Sequence, residues 1–254
     1  KLQLYDFKGQ KQREWAMDSN IRYVKVIGGP PTREGLLIGL ENGVILKIII
    51  DNPFPVQLLK IGSAVKCLDL SSSRNKLAIV DAQNNCIVYD LKSKKFLYQE
   101  SNANSVSWNS EYEDMLCFSG NGILNIKTDT FPVNQHKFQG VVAGFKGSKI
   151  FCLHMSNINT VDIPQSASLF KYLEKNEFTK AYQIACLGVT DNDWRELAMQ
   201  ALSGLNYRIA KKCFIRLKDM KYVSLLSKFE KQLNNKTGNE QLFLAEVFAY
   251  QGRF

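Results

Sequence analysis

Apolar residues along this chain keep one spacing up to Pro164 and another after it. Before Pro164, short runs alternate apolar with polar positions and are separated by Gly, Asn, Asp and Ser. That is the pattern of half-buried strands joined by tight turns. After Pro164, apolar residues recur three and four apart and turn residues become sparse, the pattern of amphipathic helices. The chain therefore predicts a β-repeat region, residues 1–164, followed directly by a helical-repeat region, residues 165–254. Pro164-Gln165-Ser166 is the whole connection, which predicts a semi-rigid joint rather than a free hinge.

The β half divides into groups of four strands. Residues 65–70, 76–80, 86–91 and 95–98 form the clearest group, with Ser71-Ser72-Ser73 and Ala82-Gln83-Asn84-Asn85 as turns. An earlier group covers 21–27, 36–40, 44–50 and 56–61, and a later one covers 105–108, 115–118, 123–126 and 131–138. Strands over 141–145, 149–153 and 159–163 begin another, and residues 2–5 belong to a leading partial one. A Tyr-Asp pair ends the third strand twice, as Tyr5-Asp6 and Tyr89-Asp90, 84 residues or two periods of 42 apart. That is the blade period of WD40 repeats, with Tyr-Asp where Trp-Asp is usual. The expectation is a WD40-like β-propeller, incomplete here and closed by upstream sequence. An open β-sandwich is the alternative, but it needs no such repeat. The chain starts at Lys1 inside a strand pattern, as a piece of a longer protein would.

In the helical half, Leu169, Phe170 and Leu173, then Phe178, Ala181, Tyr182 and Ala185, keep helical spacing. Asp191 or Asn192 is the expected N-cap before Trp194, and Gly188 and Gly204 are expected helix ends. Trp194-x-x-Leu197-Ala198-x-x-Ala201 is followed by Ala210-x-x-x-Phe214, with 16 residues from Trp194 to Ala210. The spacing fits the tetratricopeptide pattern, departing from it in Ala201 for the aromatic residue and in the missing closing Pro. Ala198 and Ala210 would let two helices approach, and Trp194 and Phe214 would fill the wedge between pairs. Leu244-Ala245-x-x-Phe248 with Gly252 repeats the pattern 47 residues on, so an extra helix, 220 to about 232, is expected between. The prediction is an all-α TPR-like solenoid; a compact helical bundle is the alternative.

Composition, 45% hydrophobic and 22% charged, is that of an ordinary soluble globular protein. The greasiest run, 44–50, is too short to cross a bilayer and contains Lys47. Charge changes the picture more. The net charge is +9, with 19 Lys/Arg against 15 Asp/Glu in the β half and 14 against 9 in the shorter helical half. A basic excess suits nucleic acid, an anionic membrane or an acidic protein. No RNP-like run, zinc finger or Arg-rich arm supports nucleic acid, and none is expected as a partner. Arg208, Lys211, Lys212 and Arg216 recur at helical spacing and predict one basic helix face, extended by Lys218 and Lys221. It is the candidate contact for a partner or a membrane, where each cation contributes up to about 1 kcal/mol. A solvated solenoid face is the plainer reading.

Little else carries chemistry. Cys67, Cys86, Cys117, Cys152, Cys186 and Cys213 lie inside apolar runs without a C-x-x-C, and read as small buried hydrophobes in a reducing, cytosolic compartment. The sequon Asn235-Lys236-Thr237 is near chance. His136 and His154 have no Cys, Asp or Glu at ligand spacing, so no metal is expected. Gly28-Gly29-Pro30-Pro31 lacks the Gly-Lys-Ser/Thr ending of a phosphate loop and reads as a turn. Asp191 and Asp193 stand at a helix start, where the helix dipole favours carboxylates. No nucleophile motif is present, and no catalytic residue or cofactor is expected.

Several longer strings carry a family resemblance. They are Ile27-Gly28-Gly29-Pro30-Pro31 with Glu34-Gly35-Leu36-Leu37, Asn104-Ser105-Val106-Ser107-Trp108-Asn109, and Glu113-Asp114-Met115-Leu116-Cys117-Phe118-Ser119-Gly120. Gly147-Ser148-Lys149-Ile150-Phe151-Cys152-Leu153-His154 and the run from Tyr182-Gln183-Ile184-Ala185-Cys186-Leu187-Gly188 through Asp193-Trp194-Arg195-Glu196-Leu197-Ala198-Met199 add to them. They resemble the WD-repeat and tetratricopeptide-like subunits of intraflagellar transport complex A. The resemblance implies a second propeller joined to the start of a solenoid, and a non-enzymatic role in the ciliary train that returns cargo and admits membrane proteins. Its implied partners are other complex A subunits of the same plan and ciliary membrane cargo or its adaptor. Its implied location is the cilium, the basal body and the cytoplasm. It brings no catalytic residues. A second reading is a membrane-proximal, coat-like adaptor whose basic helix meets acidic phospholipid.

Overall fold

The computed structural model describes residues 1–30, 33–234 and 239–251. The chain divides into two compact units, Lys1–Asp162 and Ile163–Phe254. Among the described residues the first holds 17 strands and the second six helices.

Strands β1 (Leu2–Tyr5) and β2 (Lys11–Trp15) form a two-stranded antiparallel sheet. Three four-stranded antiparallel meanders follow in chain order. The first is β3 (Ile21–Gly28), β4 (Gly35–Leu40), β5 (Val44–Ile49) and β6 (Val56–Lys60). The second is β7 (Val65–Leu70), β8 (Lys76–Asp81), β9 (Cys86–Asp90) and β10 (Lys95–Glu100). The third is β11 (Ser105–Trp108), β12 (Met115–Gly120), β13 (Ile123–Thr128) and β14 (Asn134–Lys137). Strands β15 (Val141–Lys146), β16 (Lys149–His154) and β17 (Asn157–Asp162) make a three-stranded sheet. Successive meanders of this kind are a β-propeller-like arrangement. The expected strand over 131–138 shortens to β14, because Phe131 N–H closes a turn onto the Thr128 carbonyl at 3.0 Å.

The second strand of each meander, β4, β8 and β12, is buried almost throughout. This is why these strands read as continuous apolar runs. Leu37, Val65, Leu68, Leu77 and Ile79 pack together where the first two meanders meet. A Cβ on Gly39 would sit 2.4 Å from Cγ1 of Val65, so this contact excludes a side chain there. Asp69 joins three sheets. Its carboxylate, on β7, accepts from Trp108 N–H at 2.9 Å and Ser107 Oγ at 3.1 Å, both on β11, and pairs with Lys25 Nζ of β3 at 3.1 Å. Val142 N–H donates to Ser105 Oγ at 2.9 Å, and Asn109 Nδ2 to the Gly147 carbonyl at 2.8 Å, tying the third meander to the last sheet.

The aspartates of the two Tyr-Asp pairs do the same work. Asp6 Oδ1 accepts from Lys8 N–H at 2.9 Å and Asp90 Oδ1 from Lys92 N–H at 3.3 Å, each two residues on. Each Asp thereby closes the turn that follows its strand, as an Asx-turn.

The helical unit holds α1 (Ser166–Glu174), α2 (Phe178–Leu187), α3 (Asp191–Ser203), α4 (Tyr207–Arg216), α5 (Met220–Asn234) and α6 (Glu240–Gln251). Three-residue turns join each helix to the next from α1 to α5. In three of those turns the middle residue is left-handed: Asn176 at φ 57°, Leu205 at φ 57° and Lys218 at φ 58°. In each, the next N–H reaches back into the last helical turn: Glu177 to Tyr172, Asn206 to Ala201, and Asp219 to Phe214, at 2.8–3.0 Å. The helices thus end in Schellman motifs. Gly204 stops α3 as expected, but at φ −82° it does not supply the left-handed residue; Leu205 does.

The N-cap of α3 is Thr190, not Asp191 or Asn192. Asp193 N–H donates to Thr190 Oγ1 at 3.2 Å, while the Asp193 carboxylate accepts from Thr190 N–H at 2.9 Å. This reciprocal pair is a capping box. Trp194, Leu197, Ala198, Ala201, Ala210 and Phe214 are all buried, as the wedge reading requires. Phe214 stacks on Tyr222 of α5 at 4.4 Å, and Phe229 of α5 on Phe243 of α6 at 3.7 Å between centroids. The extra helix expected over 220–232 is α5. Gly252 lies outside the described residues.

Candidate functional site

Helix α4 carries the candidate residues because its inner face is committed. Ile209, Ala210, Cys213 and Phe214 are buried, which leaves positions 208, 212, 215 and 216 facing outward. Asn206 caps the helix by accepting from Ile209 N–H at 3.3 Å.

The four cations predicted to share one face of α4, and the two predicted to extend it, do not form one open surface. Lys211 lies at its edge and pairs with Glu230 of α5 at 2.6 Å. Lys221, on α5, lies with Nζ 4.8 Å from the ring centre of Tyr250 on α6. Lys218 is the left-handed residue of the turn after α4. Arg208, Lys212 and Arg216 remain. They are exposed and four residues apart, so they stack in one row, and among the described residues none meets a carboxylate. Lys212 Nζ lies 5.3 Å from the ring centre of Tyr182 on α2. The Arg216 guanidinium lies 4.8 Å from that of Trp194 on α3. The two rings meet edge to face at 5.7 Å. Ile215, beside the row, is 54% exposed.

Spacing within α4 finds the row but not its platform. Tyr182 and Trp194 lie on other helices, and Glu230 is 19 residues from Lys211. The spacing of Tyr182 and Trp194 reads as core, and nothing in a one-dimensional pattern pairs them with cations.

Reactive chemistry finds little here. Among the described residues no three His, Cys, Asp or Glu side chains come together as metal ligands would, and no helix is long and apolar enough to cross a membrane. Five cysteines are buried; Cys186 is the exception to the expected pattern, exposed on α2. Burial pushes the Cys213 thiol up to about 12 and raises those of Cys86 and Cys117 as well, which keeps them protonated at neutral pH. A cavity of about 390 Å³ beside Trp108 is lined by Lys76, Asp114 and Lys127. Its charges are engaged, Lys76 with Asp114 and Lys127 with Glu100.

Two family models match the chain: IFT122 second beta-propeller over residues 1–158, and IFT122, TPR domain, over residues 165–254. The chain belongs to the intraflagellar transport protein 122 family. It is 59% identical over all 254 of its residues to the intraflagellar transport protein 122 homolog of Xenopus tropicalis and to that of Homo sapiens. It spans 21% and 20% of those proteins, about a fifth of their length. A more distant likeness, 22% identity over 243 residues, relates it to WD repeat-containing protein 35 of Rattus norvegicus, covering 86% of this chain and 20% of that protein. Over the matched portion, a propeller is followed by TPR-like helices, the fold class that the two patterns of spacing predict.

Proposed function

We propose that this chain is a non-enzymatic scaffold portion of a subunit of intraflagellar transport complex A. It supports retrograde ciliary transport and the entry of membrane proteins into cilia through protein–protein contacts. The observation that carries this reading is the 59% identity that runs through both units to proteins named for intraflagellar transport. The weaker likeness to WD repeat-containing protein 35 across both units supports partners of the same propeller–solenoid plan. Ciliary membrane cargo or its adaptor completes the partner set, and the cilium, basal body and cytoplasm are the location.

The test replaces residues 165–254, within the full-length protein, by unrelated helical repeats in a ciliated cell. Complex A subunits are expected to be lost from affinity purifications and cargo to accumulate at ciliary tips. Intact assembly with normal return velocities would refute the scaffold role. The membrane-adaptor reading rests on the same exposed cations, of which the row on α4 retains three.

A further inference from the structure

We infer that the row Arg208–Lys212–Arg216 is a docking rail for an acidic segment of a partner protein. The segment's carboxylates would recur about every 6 Å, the spacing of every fourth residue in a helix. The inference rests on the scaffold reading and names the chemistry of one contact.

Three observations carry it. The first is complementarity: three cations along one ridge of the helix, with no carboxylate against them among the described residues, leave an uncompensated line of positive charge. The second is preorganisation. Lys212 and Arg216 rest on the faces of Tyr182 and Trp194 at 5.3 and 4.8 Å. The rings restrain the side chains while leaving their N–H donors open. A carboxylate that binds there orders less flexible chain than it would at a free lysine. The third is shape. Ile215 lies three residues from Lys212 and next to Arg216 in sequence, and its exposed side chain gives an apolar contact beside the charges. A row of carboxylates flanked by an apolar residue is the chemistry of an acidic amphipathic segment.

The flanks argue for a narrow partner over a flat one. Glu230, held by Lys211 at 2.6 Å, lies on one side, and Asp219, paired with Arg195 at 3.5 Å, lies beyond the end of α4. Each is held by a cation outside the row, so neither neutralises it, and the row's single line of charge matches one acidic segment.

The test uses the full-length protein and two probes. One is a labelled helical peptide with Glu at every fourth position, beside a control peptide with the same composition scrambled; the other is vesicles containing phosphatidylserine. The expected result is peptide binding that weakens with salt and falls at least about tenfold in R208E/K212E/R216E. The scrambled peptide should bind more weakly than the ordered one, and vesicle binding should not follow the triple variant. Arg208→Glu alone, a residue with no ring contact, guards against misfolding and should weaken the peptide with an unchanged circular dichroism spectrum. Equal binding of both peptides, no binding to the wild-type protein, or loss of vesicle binding alone would each overturn the inference. Purification of the triple variant from ciliated cells separates the two levels. Retained complex A subunits with unchanged peptide binding sink only the rail, whereas a wild-type protein that brings down no such subunits sinks the scaffold reading.

Discussion

Trp194 shows how much one side chain can hold together. It is 1% exposed, meets Tyr182 edge-on and lies beneath the Arg216 guanidinium. Trp194→Ala would leave a large cavity between α2, α3 and α4, and is expected to cost about 3–5 kcal/mol. Chemical denaturation followed by helical circular dichroism checks this; an unchanged midpoint would refute the wedge. Asp193 is the second such residue. Burial opposes its ionisation, but hydrogen bonds from Ser166 Oγ and from the hydroxyl and N–H of Thr190 outweigh it and hold the carboxyl below its ordinary range. Because the folded pKa is depressed, its stabilisation is full above the unfolded value of about 3.9 and is lost as pH falls through the folded one. Asp193→Asn should therefore cost about 1 kcal/mol at neutral pH and flatten the acid limb of the stability profile, measured by urea midpoints from pH 2 to 7. The wedge was legible in residues 194, 198, 210 and 214. The cap was not, because Thr, Asp and Asn are all good N-caps and the choice among Thr190, Asp191 and Asn192 is made by where the chain turns.

At the level of elements, turns and edges decide behaviour. Lys218 takes a left-handed conformation that costs an ordinary residue about 1–2 kcal/mol. Lys218→Gly relieves that strain at a smaller entropic cost and should stabilise the helical unit by about 0.5–1 kcal/mol. A fall in thermal midpoint would count against the Schellman assignment. In the last sheet, Val141 faces Leu153 and Leu153 faces Ile158 across the strands, at 45%, 43% and 73% exposure. Ile158 stands on the edge strand β17, where an exposed apolar side chain beside unpaired backbone groups invites pairing with a second copy. Ile158→Lys in the isolated chain is expected to reduce self-association in sedimentation velocity without changing the strand signal. Most strands were readable from alternation. β2 was not, since its Lys-Gln-Arg-Glu-Trp offers one apolar residue, and it forms because β1 pairs with it.

Across the whole β unit, Asp69 tests how the sheets are joined. Its carboxylate is the shared acceptor for Lys25, Ser107 and Trp108. Asp69→Asn keeps the shape but loses the charge, and should cost about 2–3 kcal/mol. Hydrogen exchange should show lost protection in β3, β7 and β11 together; a loss confined to β7 would mean that the three sheets are not coupled there. By itself the sequence determined the two-part plan, the positions of most strands and of the helices to within a few residues, and the presence of a basic helix. Those features live in local period, turn chemistry and composition, which a linear pattern records directly. Tertiary structure decided which cations stay free. Glu230, Tyr250, Tyr182 and Trp194 come from other helices, and their contacts depend on distances that no spacing within α4 encodes. What read as a face of four positive charges extended by two more is, once the helices pack, a row of three, two of them on aromatic rings.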